Sequence, residues 1–122
     1  MQVPVLKQGQ YLIATVQAAL TDRDLKNLQI ELLEKIAKFR TRGVLVDVTA
    51  LDVIDSFATR MLQSIAESTK LSGAQTVIVG IQPDVAFAMV QMGLTLKDIE
   101  TALDLEEGLH LLSKKLDKIH VR

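Results

Sequence analysis

The sequence contains no cysteine and no tryptophan. Without thiols the chain has no disulfide, no thiolate metal site and no cysteine nucleophile. Aromatic residues make up only 3% of a chain in which 48% of the residues are hydrophobic, so the core must be built from Leu, Ile, Val, Ala and Met. At 122 residues, the length predicts one domain over residues 1–122, built around a single core.

The sequence also lacks an excess of either charge and lacks long apolar runs. Its 14 basic and 15 acidic residues give a net charge of -1, which leaves no electrostatic footprint for a nucleic acid backbone and little repulsion against self-association. No apolar run approaches the roughly 18 residues of a membrane span, and the N-terminal residues MQVPVLKQGQ do not form a secretion signal. We therefore expect a cytoplasmic protein that forms at least a dimer and has neither nucleic acid nor membrane as a partner.

Few residues are available for catalysis or for metal binding. The six glycines are too scattered for a nucleotide-binding loop, and His110 and His120 lie ten residues apart in one predicted helix, where we expect them on the solvated surface. Ser56 lacks the Gly-x-Ser-x-Gly context of a hydrolase nucleophile. Asp52 and Asp55 are too few for a calcium cage, and magnesium would need a phosphate to share. The sequence therefore supports no enzymatic activity, no cofactor and no metal site.

Along the sequence, segments with the apolar pattern of a strand are followed by segments whose apolar residues have the three- to four-residue spacing of a helix. In chain order, the predicted elements are strands Val3–Leu6 and Tyr11–Val16, a helix from about Asp22 to Arg40, a strand Val44–Val48, a helix through Phe57 to Thr69, a strand Thr76–Ile81, a short helix after Pro83, a brief strand within Asp98–Leu103, and a last helix after Asp104. This order predicts an α/β fold: a mixed, mainly parallel sheet of four or five strands with an N-terminal hairpin and about four helices. The two continuous apolar strands are expected at its centre.

Two of these helices carry more specific expectations. Thr21 followed by Asp24 predicts a capping box at the start of the first helix. The short helix after Pro83 is expected to be largely buried. Its predicted inner face consists of Val85, Ala86, Met89 and Val90.

Ser56 stands between the first central strand and the helix that follows it. Serine is among the most favoured N-cap residues, worth about 1 kcal/mol, so capping is its ordinary structural interpretation. The same position places the hydroxyl at the sheet edge where open α/β sheets hold ligands and partners. These residues alone leave open whether Ser56 is a cap, a catalytic nucleophile or a hydroxyl that another protein modifies.

Three segments carry a family resemblance: GVLVDVTALDVIDSF at residues 43–57, KLSGAQTVIVGIQP at 70–83 and ETALDLEEG at 100–108. Together they resemble the STAS domain family, named for sulphate transporters and anti-sigma factor antagonists, over nearly the whole chain. Many anti-sigma factor antagonists have a small residue and a glycine after the Asp-Ser pair. Here Phe57 and Ala58 follow it, as in the RsbS-like members of the family, which are small scaffold proteins of the bacterial stressosome.

The resemblance implies a non-enzymatic scaffold and phosphorylatable switch in a bacterial stress or signalling pathway. Ser56 matches the serine that a kinase of the RsbT type phosphorylates, and Asp52, Asp55, Phe57 and Arg60 would form the surface that binds the partner. The scaffold would hold the kinase and release it when Ser56 is phosphorylated. The implied partners are this kinase, RsbR-like STAS paralogues, an RsbX-like phosphatase and further copies of the chain. The alternative within the family is a stand-alone anti-sigma factor antagonist, which binds an anti-sigma factor kinase in its unphosphorylated state.

Overall fold

The computed structural model describes residues 3–18, 20–94 and 99–120, with side chains up to residue 116. The elements are β1 (Val5–Gln8), β2 (Tyr11–Thr15), α1 (Asp22–Phe39), β3 (Gly43–Asp47), α2 (Ser56–Leu71), β4 (Gln75–Val79), α3 (Pro83–Gln91), β5 (Glu100–Ala102) and α4 (Leu105–His120). This is the predicted α/β order, with the first four strands shifted by one or two residues. The last strand falls within the predicted segment, of which Asp98 lies outside the described residues.

The five strands form one mixed sheet in the order β1-β2-β3-β4-β5. β1 and β2 make an antiparallel hairpin that turns through Gly9 at a φ of 60°, and the other three pairings are parallel. β3 lies at the centre and β4 lies beside it, which confirms the prediction from their continuous apolar sequences. Such strands need cover on both faces, and only interior positions supply it.

Helices cover the two faces of the sheet unequally. Alternate residues of each strand point to opposite faces, so Val46 and Ile78 join the larger core beneath α1, α2 and α3, while Leu45 and Val79 join the smaller core beneath α4. α4 approaches the sheet closely at Gly108. A Cβ atom there would lie 2.6 Å from both Leu45 Cδ2 and Val79 Cγ1.

The predicted capping box at the start of α1 is confirmed. The Asp24 amide donates to Thr21 Oγ1 at 3.2 Å, and the Thr21 amide donates to Asp24 Oδ2 at 2.9 Å. The hydrogen bond from the Thr21 amide is also the main reason that the pKa of Asp24 lies below its usual value. Two backbone donors that α1 cannot satisfy internally are thereby paired.

The expectation that α3 is largely buried was wrong. Val85 and Met89 are buried as predicted, but Ala86 and Val90, assigned to the same inner face, are exposed. The apolar spacing correctly identified a helix that rests on the sheet. It could not show that, within the described part of the chain, no other helix packs over the rest of that stripe.

α4 presents His110 on its exposed side, as predicted. The side chain of His120 lies outside the described residues. Over the residues that are described, none of the helices combines the length with the apolar character that crossing a bilayer demands.

Candidate functional site

The loop between β3 and α2 leaves the sheet at the edge where the parallel strands end. The Val48 amide donates to the carbonyl of Val79 at 3.0 Å, which extends the β3–β4 pairing by one residue. The Leu51 amide then donates to the carbonyl of Val48 at 2.9 Å, and the Leu51 side chain is buried in the larger core. The loop therefore starts from an anchored turn.

Thr49 ties this loop to the neighbouring connection between β4 and α3. Its amide and its hydroxyl both donate to Asp47 Oδ1, at 3.0 and 2.6 Å, and Gln82 Nε2 donates to its carbonyl at 2.7 Å. Gly80, at a φ of 78°, packs against Thr49 so closely that a Cβ atom there would collide with the Thr49 hydroxyl. The loop that leads to Ser56 is thus held by Asp47 at the end of β3 and by Gln82 in the connection that follows β4.

Asp55, and not Ser56, is the N-cap of α2, so capping, the ordinary structural interpretation of Ser56, was wrong. Asp55 has extended backbone (φ −102°, ψ 175°), and its Oδ1 accepts a hydrogen bond from the Ala58 amide at 2.7 Å. The Thr59 amide and hydroxyl both donate to the Asp55 carbonyl, at 3.0 and 2.9 Å. Both residue types are strong caps, and a carboxylate also interacts favourably with the positive end of the helix dipole.

Ser56 is consequently the first residue inside α2, and it is exposed. Its hydroxyl makes no hydrogen bond to any residue that the structure describes. Asp55 supplies the side-chain cap of the helix, so the cap does not depend on the Ser56 side chain. The hydroxyl is available to solvent without loss of a hydrogen bond to a described residue.

The other predicted site residues lie around Ser56 in different settings. Arg60 follows one helical turn later, on the same side of α2, and is exposed; Asp52 is exposed in the preceding loop. Phe57 is half-buried, and the Nζ atom of Lys26 on α1 lies 5.7 Å from the centre of its ring. This is a cation–π contact. Sequence reasoning missed Lys26, because no local pattern links it to a residue in another helix.

Asp52 and Asp55 are the two acids of this region. The Asp55 carboxylate is engaged in capping. Nowhere in the described ranges do three or more His, Asp or Glu side chains come together in a way that could hold a metal ion.

A pocket of about 150 Å³ opens beside the first turn of α2. Its wall includes Asp55 and Ala58, and exposed Val53 stands at its margin. The remaining lining residues come from the connection between β2 and α1, the start of α1, the β3–α2 loop and α2: Val16, Ala18, Leu20, Asp22, Leu25, Leu51, Ile54 and Leu62. We call this the α1–α2 pocket. No sequence motif could have indicated it, because its walls come from two stretches that are far apart in the chain, residues 16–25 and 51–62.

Comparison with known proteins identifies the family to which the chain belongs. The model of the STAS domain matches residues 2–108. RsbS of Moorella thermoacetica, solved as a serine-to-glutamate variant, superposes with a TM-score of 0.85 at 35% identity, over 96% of this chain and 99% of that one. A chain from the molecular architecture of the stressosome, a signal integration and transduction hub, gives 0.83 at 36% identity, over 93% and 98% of the two chains.

Similar sequences also include proteins related to the stressosome. The RsbT co-antagonist protein RsbRA of Bacillus subtilis (strain 168) is 27% identical over 107 residues, which are 88% of this chain and 38% of RsbRA. RsbRD of the same organism is 27% identical over 77 residues, 63% of this chain and 28% of RsbRD. The chain thus spans well under half the length of these relatives. It belongs to the STAS domain family and is related to the stressosome proteins RsbS and RsbR.

Proposed function

We propose that this protein is a non-enzymatic stressosome scaffold of the cytoplasm, which holds a serine/threonine kinase of the RsbT type and releases it when that kinase phosphorylates Ser56. The observation that carries the proposal is the position of Ser56, exposed at the start of α2 with its hydroxyl unused while Asp55 caps the helix. The relation to an RsbT co-antagonist supports the choice of kinase. RsbR-like paralogues would complete the assembly, and an RsbX-like phosphatase would reset the switch.

Phosphorylation of Ser56 is compatible with the fold. A phosphate adds about -1.5 to -2 charges at pH 7, and helix N-termini accept anions because their first N–H groups have no intrahelical partner. The Ser56 and Phe57 amides are two such groups at the start of α2. Arg60, one turn further along, adds a positive charge on the same side of the helix. Both states of the switch therefore share one structure.

Partner binding responds differently, because it depends on desolvating this surface. The kinase would cover the Ser56 hydroxyl together with Asp52, Asp55, Phe57 and Arg60, with the α1–α2 pocket at the margin of the contact. Burying a neutral hydroxyl costs little if it gains a hydrogen bond, whereas burying a dianion beside the Asp55 carboxylate is far more costly. The phosphorylated surface would therefore lose the kinase without any change in fold.

The first test maps the phosphate. The protein is incubated with an RsbT-type kinase from the same genome and ATP, and modified sites are located by mass spectrometry. We expect phosphate on Ser56, none in the Ser56→Ala variant, and unchanged modification in Ser72→Ala, an exposed serine just beyond the other end of α2. Phosphate on Thr59, Ser64 or Ser68 with Ser56 unmodified would contradict the proposal.

The second test measures binding of the same kinase at matched folding. Ser56→Ala keeps a small neutral side chain and should retain the kinase. Ser56→Asp adds a negative charge and should bind it more weakly, although a carboxylate carries less charge than a phosphate. Equal affinity of the two variants for the kinase would contradict the proposal that negative charge at residue 56 releases the kinase.

A further inference from the structure

The α1–α2 pocket is apolar, and its only charged walls are acidic. Nine of the eleven described residues that line it are apolar, and the other two, Asp22 and Asp55, are exposed acids. Its volume of about 150 Å³ is that of apolar cavities that take up a molecule the size of benzene. One aliphatic or aromatic side chain from another molecule therefore fills it.

The pocket and Ser56 belong to one surface. Asp55 directly precedes Ser56 in the chain and Ala58 follows it by two residues, so the first turn of α2 supplies both a wall of the pocket and the exposed serine. Val53, in the loop before this turn, also lines the pocket and is 76% exposed. A kinase that encloses Ser56 within a standard interface of roughly 800 Å² per partner therefore covers the pocket as well.

We propose that the α1–α2 pocket is a docking site that receives one apolar side chain of the kinase, and that a basic side chain of the kinase lies next to this anchor. The inference rests on the proposed function, because it names how that partner is held. An apolar side chain buried in a pocket is a common anchor of protein interfaces, since it is fully desolvated there. Val53 and Ala58, which line the pocket beside the switch, would contact the anchor.

The charge of the pocket indicates the neighbour of the anchor. Two carboxylates, with no basic residue among the described lining, favour a partner with positive charge and disfavour an acidic one. This charge belongs beside Asp22, at the start of α1, because a basic group over Ser56 would bind the phosphate and not release it. Docking through the pocket and release through Ser56 thus use different parts of one surface.

Kinase binding measured without ATP tests the pocket. Ala58→Leu places a larger side chain in the wall of the pocket and keeps the amide that Asp55 caps. We expect this variant to raise the dissociation constant of the kinase roughly tenfold or more, as loss of an anchor at an interface does. Ala86→Leu is the matched control, because Ala86 lines a different pocket, formed by α3 and β5, and it should bind the kinase as the wild type does.

Val53→Ser keeps the test valid if Ala58→Leu does not fold, because Val53 is exposed in a loop. Urea unfolding checks that each variant is folded. In phosphorylation assays, Val53→Ser should raise the KM for this protein and leave kcat unchanged, since Ser56 is not among the residues that line the pocket. Leu71→Ser, which replaces a side chain that is 91% exposed at the far end of α2, is the control and should change neither constant.

Association rates test the basic neighbour. Asp22→Asn removes one negative charge from the pocket. We expect it to slow association with the kinase roughly threefold at low salt, the effect of one unit charge at about 6 Å in water, and to have little effect at high salt. Glu67→Gln, an exposed acid further along α2, is the control. Association of Asp22→Asn that is unchanged or faster at low salt would refute the basic neighbour.

Two results would overturn the docking site and leave the proposed function standing. One is that the kinase phosphorylates Ser56 and binds Ala58→Leu and Val53→Ser as tightly as the wild type. The other is that these variants keep the kinase but lose an RsbX-like phosphatase or an RsbR-like paralogue, which would assign the pocket to that partner. If the kinase neither binds the wild-type chain nor modifies Ser56, the proposed function fails and the docking site fails with it.

Discussion

At the scale of single residues, Asp55 and Ser56 are adjacent but serve different purposes. Asp55 holds the first turn of α2 through its carboxylate and its carbonyl, while the Ser56 hydroxyl makes no hydrogen bond to a described residue. Two adjacent residues that both cap well cannot be ranked by sequence alone. The choice depends on which of them has extended backbone, and that is set by how the loop is anchored at Leu51 and Thr49.

Unfolding measurements can separate the two roles. We expect Asp55→Ala to lower the free energy of unfolding by about 1 kcal/mol, the usual cost of a lost cap, and Ser56→Ala to change it by no more than about 0.5 kcal/mol. Urea denaturation at pH 7, followed by circular dichroism, compares both with the wild-type chain. A larger loss in Ser56→Ala than in Asp55→Ala would contradict the assignment of the cap.

At the scale of helices and strands, the sequence predicted the type and order of every element that the structure describes. It did so because the buried strands are continuous apolar runs and the helices repeat apolar residues every three or four positions. It was wrong about the outer half of α3, where Ala86 and Val90 are apolar but exposed. Periodicity reports which residues share a side of a helix, not whether another element covers that side.

Gly108 gives a prediction at this scale. In an exposed helix, replacing glycine by alanine stabilises by about 1 kcal/mol. Here the new methyl group would meet Leu45 and Val79 of the sheet, so we expect Gly108→Ala to lower the free energy of unfolding instead, by about 1 to 3 kcal/mol.

Urea denaturation measures whether Gly108→Ala lowers or raises the free energy of unfolding. His110→Ala, an exposed position on the same helix, serves as the control and should stay within about 0.5 kcal/mol of the wild type. A stabilised Gly108→Ala would mean that α4 packs less closely on the sheet than described.

At the scale of the whole molecule, the size of the assembly formed with a paralogue distinguishes the two proposed functions, a stressosome scaffold and a stand-alone anti-sigma factor antagonist. A stressosome scaffold should form a particle far larger than a dimer when mixed with an RsbR-like STAS protein, and the net charge of -1 opposes such association only weakly. A stand-alone anti-sigma factor antagonist should not. Light scattering of each protein alone and of the mixture provides the measurement, and small species throughout would favour the antagonist.

The sequential strand order of the sheet also bears on how the protein is made. Because β1 to β5 lie side by side in the order in which they occur in the chain, each strand that leaves the ribosome finds its neighbour already synthesised. At about 5 to 20 residues per second, β3 can join the hairpin while β4 is still being translated. Each closure spans a single helix, which keeps the growing sheet's contacts short in sequence. The last strand added has only three residues, so the finished sheet offers little template on that side for pairing with another nascent chain.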